Sequence, residues 1–377
     1  MKKAHASLLV LTVLVGASLA PIAFSEQATL YKLTKEDIVR VQERAEVLRV
    51  AGQPGWEPGY IALANAEWSS GERTNALSRF ITTMRDTQDC EHRSSAFRAS
   101  MRAINQAALD HSDTKEYKQQ LEDFSLHCKK ILLEEPVTQA SMAGNCAVDH
   151  AATLSSAAHF WENYDQGAAE KAADTMILVA GFMEPSGSAD TKASAKLLLS
   201  RIFEKRGKYE AAYLAYEEAI THTNFAGLGA DGTFVRETMM TEKMRLLALH
   251  QPGVASTRTS LATRALELRT VTLTWLQKTE LFTSLLRPMQ IEGMTTERID
   301  GMIHFVHAAP TVQAASQEEE QALLDLLSSM QNADHASIGR PDAALLAYEV
   351  LIARSTVQAD RDRYTTARNE LVARLNQ

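Results

Sequence analysis

Apolar residues return every three or four positions along almost the whole chain. The helical spacing runs over roughly 58–69, 73–86, 93–110, 114–133, 148–162, 167–181, 190–206 and 209–222. It resumes over about 233–250, 257–286, 296–308, 317–331, 341–354 and 358–375. An earlier segment opens on Thr34-Lys35-Glu36-Asp37, which resembles a capping box, and stays periodic to about Arg49. "AGQPGWEPG", 51–59, breaks the pattern. No run alternates like a strand. The nearest, "RTVTLTWL" at 269–276, reads as continuous with helix on both sides. "EEPVTQASMAGN", "EPSGSADT", "NFAGLGADG" and "HQPGV" are the main links. Short links between successive helices make neighbours antiparallel, so the pattern predicts an all-α array of helical hairpins. With only 9 prolines and 17 glycines in 377 residues, the chain favours long helices and short loops.

Internal repeats sharpen this. "YEAAYLAYEEAI" from Tyr209 and "PDAALLAYEVLI" from Pro341 share Ala211/Ala343, Ala212/Ala344, Leu214/Leu346, Ala215/Ala347, Tyr216/Tyr348, Glu217/Glu349 and Ile220/Ile352. "YIALANAEWSSGERTNALSRFITTM", 60–84, looks like an earlier copy. In the copy near Ala193, Leu199, Ser200 and Phe203 fill the first helix, Gly207 makes the turn, and Ala212, Tyr216 and Ala219 fill the second. In the copy near Glu57 the matches are Tyr60, Leu63, Ala64, Gly71, Ala76 and Phe80, with departures at Glu67 and Thr83. These segments resemble the tetratricopeptide repeat (TPR) family, whose unit is a helix pair of 34 residues. Small residues at Ala76, Ala212 and Ala344 let paired helices approach, and Phe80, Tyr216 and Tyr348 seal the joint to the next pair. Gly71 and Gly207 are 136 residues apart, which reads as four such units. The resemblance implies a right-handed superhelical array, an α-solenoid, forming one domain over 26–377. It also implies a scaffold whose concave groove takes a partner protein or peptide. In that register the groove residues are Asn65 and Trp68 in the early copy and Arg201, Glu204 and Lys205 in the middle one. Trp68 would be an aromatic anchor, with packing between hairpins the alternative, and Arg201 with Lys205 a site for partner acids.

The N-terminus changes the compartment. Lys2 and Lys3 precede an apolar run from Leu8 to Ala20, and Ala23-Phe24-Ser25 is a small-x-small site. Residues 1–25 therefore read as a secretory signal peptide of bacterial type, cleaved between Ser25 and Glu26. A periplasmic or secreted protein is expected, with no membrane span in the mature chain. Cleavage removes two lysines and no acids, leaving 37 basic and 47 acidic side chains, which argues against a nucleic-acid partner. Cys90, Cys128 and Cys146 would meet an oxidising compartment. Cys128 lies on the apolar face of its helix and reads as a core thiol. Cys90 and Cys146 each precede a predicted helix and are the favoured pair, with all three reduced the alternative.

Signatures of chemistry are sparse. "GLGADG", 227–232, spells G-x-G-x-x-G, but a dinucleotide loop needs a strand before it and an acid some 20 residues on. A helical segment precedes it and "HQPGVAS" follows near 252, so it reads as a link. Glu297, Asp300, His304 and His307 fall on one helical stripe and could approach a cation, yet no second element supplies ligands. His150 and His159 stand too far apart on one helix to chelate together. No G-x-S-x-G, P-loop or H-E-x-x-H is present. The expectation is thus no catalytic residue, cofactor or resident metal, with a small-molecule ligand still possible. The alternative is a helical-toroid enzyme or ligand-binding protein acting on a cell-envelope substrate or metal.

Overall fold

The chain's backbone is helix after helix, in a computed structural model that describes residues 35–111, 115–163, 165–309, 316–334 and 338–376. Residues 1–25, read above as a signal peptide, the cleavage point expected after Ser25, and Thr34 of the expected capping box lie outside the described residues. Two compact units divide the rest: residues up to Gly207 with Leu214–Asn224, and Lys208–Tyr213 with Phe225 onward. Among the described residues there is no strand.

In the first unit run α1 (Lys35–Val50), α2 (Glu57–Ser69), α3 (Arg73–Asp86), α4 (Cys90–His111), α5 (Lys115–Leu133), α6 (Cys146–Trp161), α7 (Gln166–Ala180) and α8 (Pro185–Lys205). α9 (Tyr209–His222) follows, its residues divided between the units. Each of α2 to α6 packs against the helix after it or the helix two further on, and most pack against both. Phe80, Phe97, Phe124, Leu154 and Trp161 are fully buried at these joints. Trp161 Nε1 donates to Ser125 Oγ at 2.9 Å, which satisfies the one polar atom of its ring. Cys128 is buried and free, and burial pushes its thiol well above the usual range. A disulfide joins Cys90 to Cys146, tying the start of α4 to the start of α6.

The second unit begins with a 3-10 turn, Phe225–Asp231, and continues with α10 (Gly232–His250), α11 (Ala255–Thr270), α12 (Trp275–Ile291), α13 (Thr295–His307), α14 (Gln317–Met330), α15 (Pro341–Arg354) and α16 (Gln358–Leu375). The same succession holds: α10 packs on α11 and α12, α11 on α12 and α13, α12 on α13 and α14. Phe282, Phe305, Leu285, Met289 and Leu327 fill its core. α12 and α13 approach so closely at Gly301 that a Cβ there would lie 2.2 Å from the Phe282 ring. Trp275 Nε1 donates to the Phe305 carbonyl at 2.9 Å, anchoring the start of α12 on α13.

Three repeat glycines, Gly71, Gly207 and Gly339, have φ of 90°, 68° and 65°. A side chain resists that left-handed region, so glycine is required where one helix stops and the next begins. Ala76, Ala212 and Ala344 are fully buried, as is Phe80, with Tyr216 nearly so. Tyr348 keeps part of its surface exposed. The 34-residue count does not survive. Six helices, α3 to α8, lie between Gly71 and Gly207, which makes three helix pairs of about 45 residues rather than four units. Long helices such as the 22-residue α4 and the 21-residue α8 lengthen the pairs.

Two boundaries also differ from the periodicity. The helix expected over 257–286 is two helices, since α11 stops at Thr270 and α12 starts at Trp275. β-branched Thr270, Val271 and Thr272 hold χ1 stiffly, and Thr274 forms a full capping box with Gln277. These local terms outweigh an unbroken apolar period. The link expected at "EPSGSADT" is instead the N-cap, Glu184, and about the first two turns of α8, with Pro185 at a position that has no intrahelical N–H to lose.

Ion pairs of similar sequence span recur in both units. Arg49–Asp86, Arg93–Glu135, Arg201–Glu162 and Arg206–Glu170 in the first unit span 36 to 42 residues. Arg354–Glu320, Arg340–Asp300 and Arg374–Asp334 in the second span 34 to 40. Arg206–Glu170 and Arg354–Glu320 join neighbouring helices, and the other five join an element to one about two helices away.

Candidate functional site

The sequence singled out Asn65, Trp68, Arg201, Glu204 and Lys205. All five fall in the first unit, in two places. Asn65 and Trp68 are on α2, which packs with α1, α3 and α4. Arg201, Glu204 and Lys205 are on the last turns of α8, which packs with α6 and α7.

At the early place Trp68 is half-buried against Ala64, Ala76 and Phe80 of the core. The Arg73 guanidinium stands 5.8 Å from its ring centre. Asn65 is half-buried, and its carbonyl accepts from Ser69 Oγ at 2.9 Å. Nearby, Arg79 pairs with Glu67 at 2.7 Å and lies 5.2 Å from the Tyr60 ring. Tyr60 donates to Glu46, whose carboxyl is held down at about 2 by Arg49 first and by this hydroxyl second. The departure at Glu67 thus has a use, because the carboxylate anchors Arg79 on the next helix.

At the later place the end of α6 meets the end of α8. Glu162, which follows α6, is 8% exposed and receives Arg201 Nη2 at 3.1 Å and Lys205 Nζ at 3.0 Å. Lys205 also donates to Asn163 at 2.9 Å. Arg206 reaches α7, pairing with Glu170 and donating to Gln166 at 3.1 Å. His159 Nδ1 is 2.7 Å from the Ser155 carbonyl. Burial first, then the charge of Arg201, lowers the pKa of its ring below the ordinary histidine range. Lys129 pairs with Asp165, which caps α7 by accepting from Ala168 N at 3.0 Å.

This ledge of alternating acids and bases was only half legible. Arg201 and Lys205 stand out by helical spacing. Glu162, the acid that holds both, lies 39 residues from Arg201, and no local pattern marks it. Arg201 is therefore committed within the chain, its side chain 18% exposed, whereas Lys205 keeps 41% of its side chain exposed. The ledge can offer an ammonium and hydrogen bonds to an acidic segment.

The other sequence features settle locally. Gly227 and Gly229 lie in the 3-10 turn and Gly232 opens α10 directly after it, with a helix rather than a strand ahead among the described residues. Gly229 has φ 59° and ψ −131°, and a Cβ on Gly232 would lie 2.1 Å from the Phe225 carbonyl oxygen. Those two glycines serve the turn. In the stripe on α13, Asp300 is taken by Arg340 at 2.8 Å. His304 lies edge-on to Phe305, and burial, Arg269 and Lys278 lower its pKa. Those cations oppose a second positive charge. Among the described residues no three His, Cys, Asp or Glu side chains gather as a metal site. Nor is any helix among them long and apolar enough to cross a membrane. No protein-family model matches the chain, and no curated protein matches it.

Proposed function

We propose that the protein is an exported helical-repeat scaffold whose units are solenoids of antiparallel, TPR-like hairpins, and that the first unit holds a partner protein or peptide. The observation that carries this reading is the order of packing. Helices contact the next and the next but one along the chain, with alanines and aromatics buried at the joints. Such a succession leaves one file of helices to line a continuous groove. Asn65 and Trp68 contribute to it at one end, and Glu204 and Lys205 at the other. Lys205 steers acids, and the exposed part of Trp68 supplies apolar area. The Cys90–Cys146 disulfide suits an oxidising compartment, in keeping with a cleaved leader and a periplasmic or secreted location.

The test is site-specific photo-crosslinking in the native compartment, with the reactive residue placed at Asn65 or at Lys205. Both positions should trap the same partner, and Lys205→Glu should reduce its yield at Asn65 as well. Different species at the two positions, or a yield indifferent to Lys205→Glu, would overturn the shared groove.

A further inference from the structure

Beside the Cys90–Cys146 disulfide, α4, α6 and the link between α5 and α6 line a small cleft that opens to solvent. Arg93 and His150 line it from the two helices, and Glu135, Val137 and Met142 from the link. The cleft is separate from the acid–base ledge at the ends of α6 and α8, and does not rest on the scaffold reading.

Its polar groups are underused. Arg93 Nη1 donates to one oxygen of Glu135 at 2.9 Å, and Nη2 reaches the Thr87 carbonyl only at 3.4 Å. Its Nε–H is buried and meets no acceptor. A guanidinium is a planar fork that suits both oxygens of a carboxylate, and here it holds one. His150 is 9% exposed. Burial first and the charge of Arg93 second hold its pKa down to about 4, so the ring is neutral at pH 7. A neutral imidazole keeps one donor and one acceptor, and no hydrogen bond from a described residue occupies them. Val137 and Met142 add apolar wall.

We propose that this cleft is a carboxylate-binding site, in which a ligand carboxylate displaces the Glu135 side chain from Arg93 and accepts a hydrogen bond from His150. Glu135 indicates the chemistry, because an internal acid already occupies the seat. Its side chain is 46% exposed and sits on a link rather than a helix, so it can leave. The ligand is a small monocarboxylate or the carboxyl end of a peptide.

The experiment uses the full oxidised chain with ¹³Cε1-labelled histidine, and the His150 signal identified by its loss in His150→Gln. Acetate, N-acetyl-glycyl-alanine and the amide of that peptide are titrated at pH 7 and constant ionic strength, with chloride as control. Acetate and the peptide acid should shift the His150 signal saturably, and the amide should not. Tighter binding of the peptide acid than of acetate would assign the site to chain ends, and the reverse to free monocarboxylates. Glu135→Gln, which removes the internal competitor, should tighten binding about two- to fivefold, as loss of one exposed ion pair predicts. Arg93→Gln should abolish the shift while keeping the circular-dichroism spectrum. A shift matched by chloride or by the amide, or affinity unchanged in Glu135→Gln, would overturn the proposal, and Glu135→Gln keeps the test valid if Arg93→Gln fails to fold.

Discussion

Arg201 on α8 reaches Glu162 at the end of α6, with 3.1 Å between Nη2 and the carboxylate and 39 residues of chain between them. Glu162 is nearly buried and also holds Lys205. Replacing it by glutamine leaves two cations without their acid. The pair lies between the exposed and the fully buried cases, so Glu162→Gln should cost about 2 kcal/mol in urea unfolding. A variant as stable as the parent would mean that solvent already screens the pair.

The disulfide closes a loop of 56 residues. Loop-closure entropy for that length gives about 4 kcal/mol as the loss expected when Cys90 and Cys146 both become serine. The parent in strong reductant should unfold at the same denaturant concentration as the double variant. Cys128→Ala should leave the reductant effect unchanged, since that thiol takes no part in the bridge.

His150 should make stability depend on pH. Its folded pKa, down at about 4, lies below the unfolded value near 6.5. The unfolded chain therefore takes up a proton first as pH falls. The contribution is fully present above about pH 6.5 and is lost on the way down to about pH 4. Between pH 7 and pH 5 it amounts to about 2 kcal/mol. His150→Gln should flatten the unfolding profile by that amount in this window, and an identical profile would refute the assignment.

Two glycines should respond differently to alanine. Gly207 has φ 68° with nothing within 4 Å of an added Cβ, so Gly207→Ala should cost only conformational strain, about 1 kcal/mol. At Gly301 the Cβ would strike the Phe282 ring, so α12 and α13 must separate or the ring must turn. Gly301→Ala should cost about 3 kcal/mol, at the upper end for overpacking. Thermal unfolding of both variants would rank them.

Hydrophobic spacing alone determined the helical class, because a 3.6-residue period is a property of consecutive side chains. Glycine at 71, 207 and 339 and the alanines after them were legible for the same reason, since turn and close approach each demand a particular residue. What spacing could not settle was how many helices fill the interval between two glycines. Helix length depends on caps and β-branched runs such as Thr270-Val271-Thr272, and these cut one expected helix into two. The tertiary structure decided the partners. The Cys90–Cys146 pair was already favoured by position, each cysteine preceding a helix, but Glu162 for Arg201 and Arg340 for Asp300 are tens of residues apart, brought together by packed helices whose order no local pattern encodes.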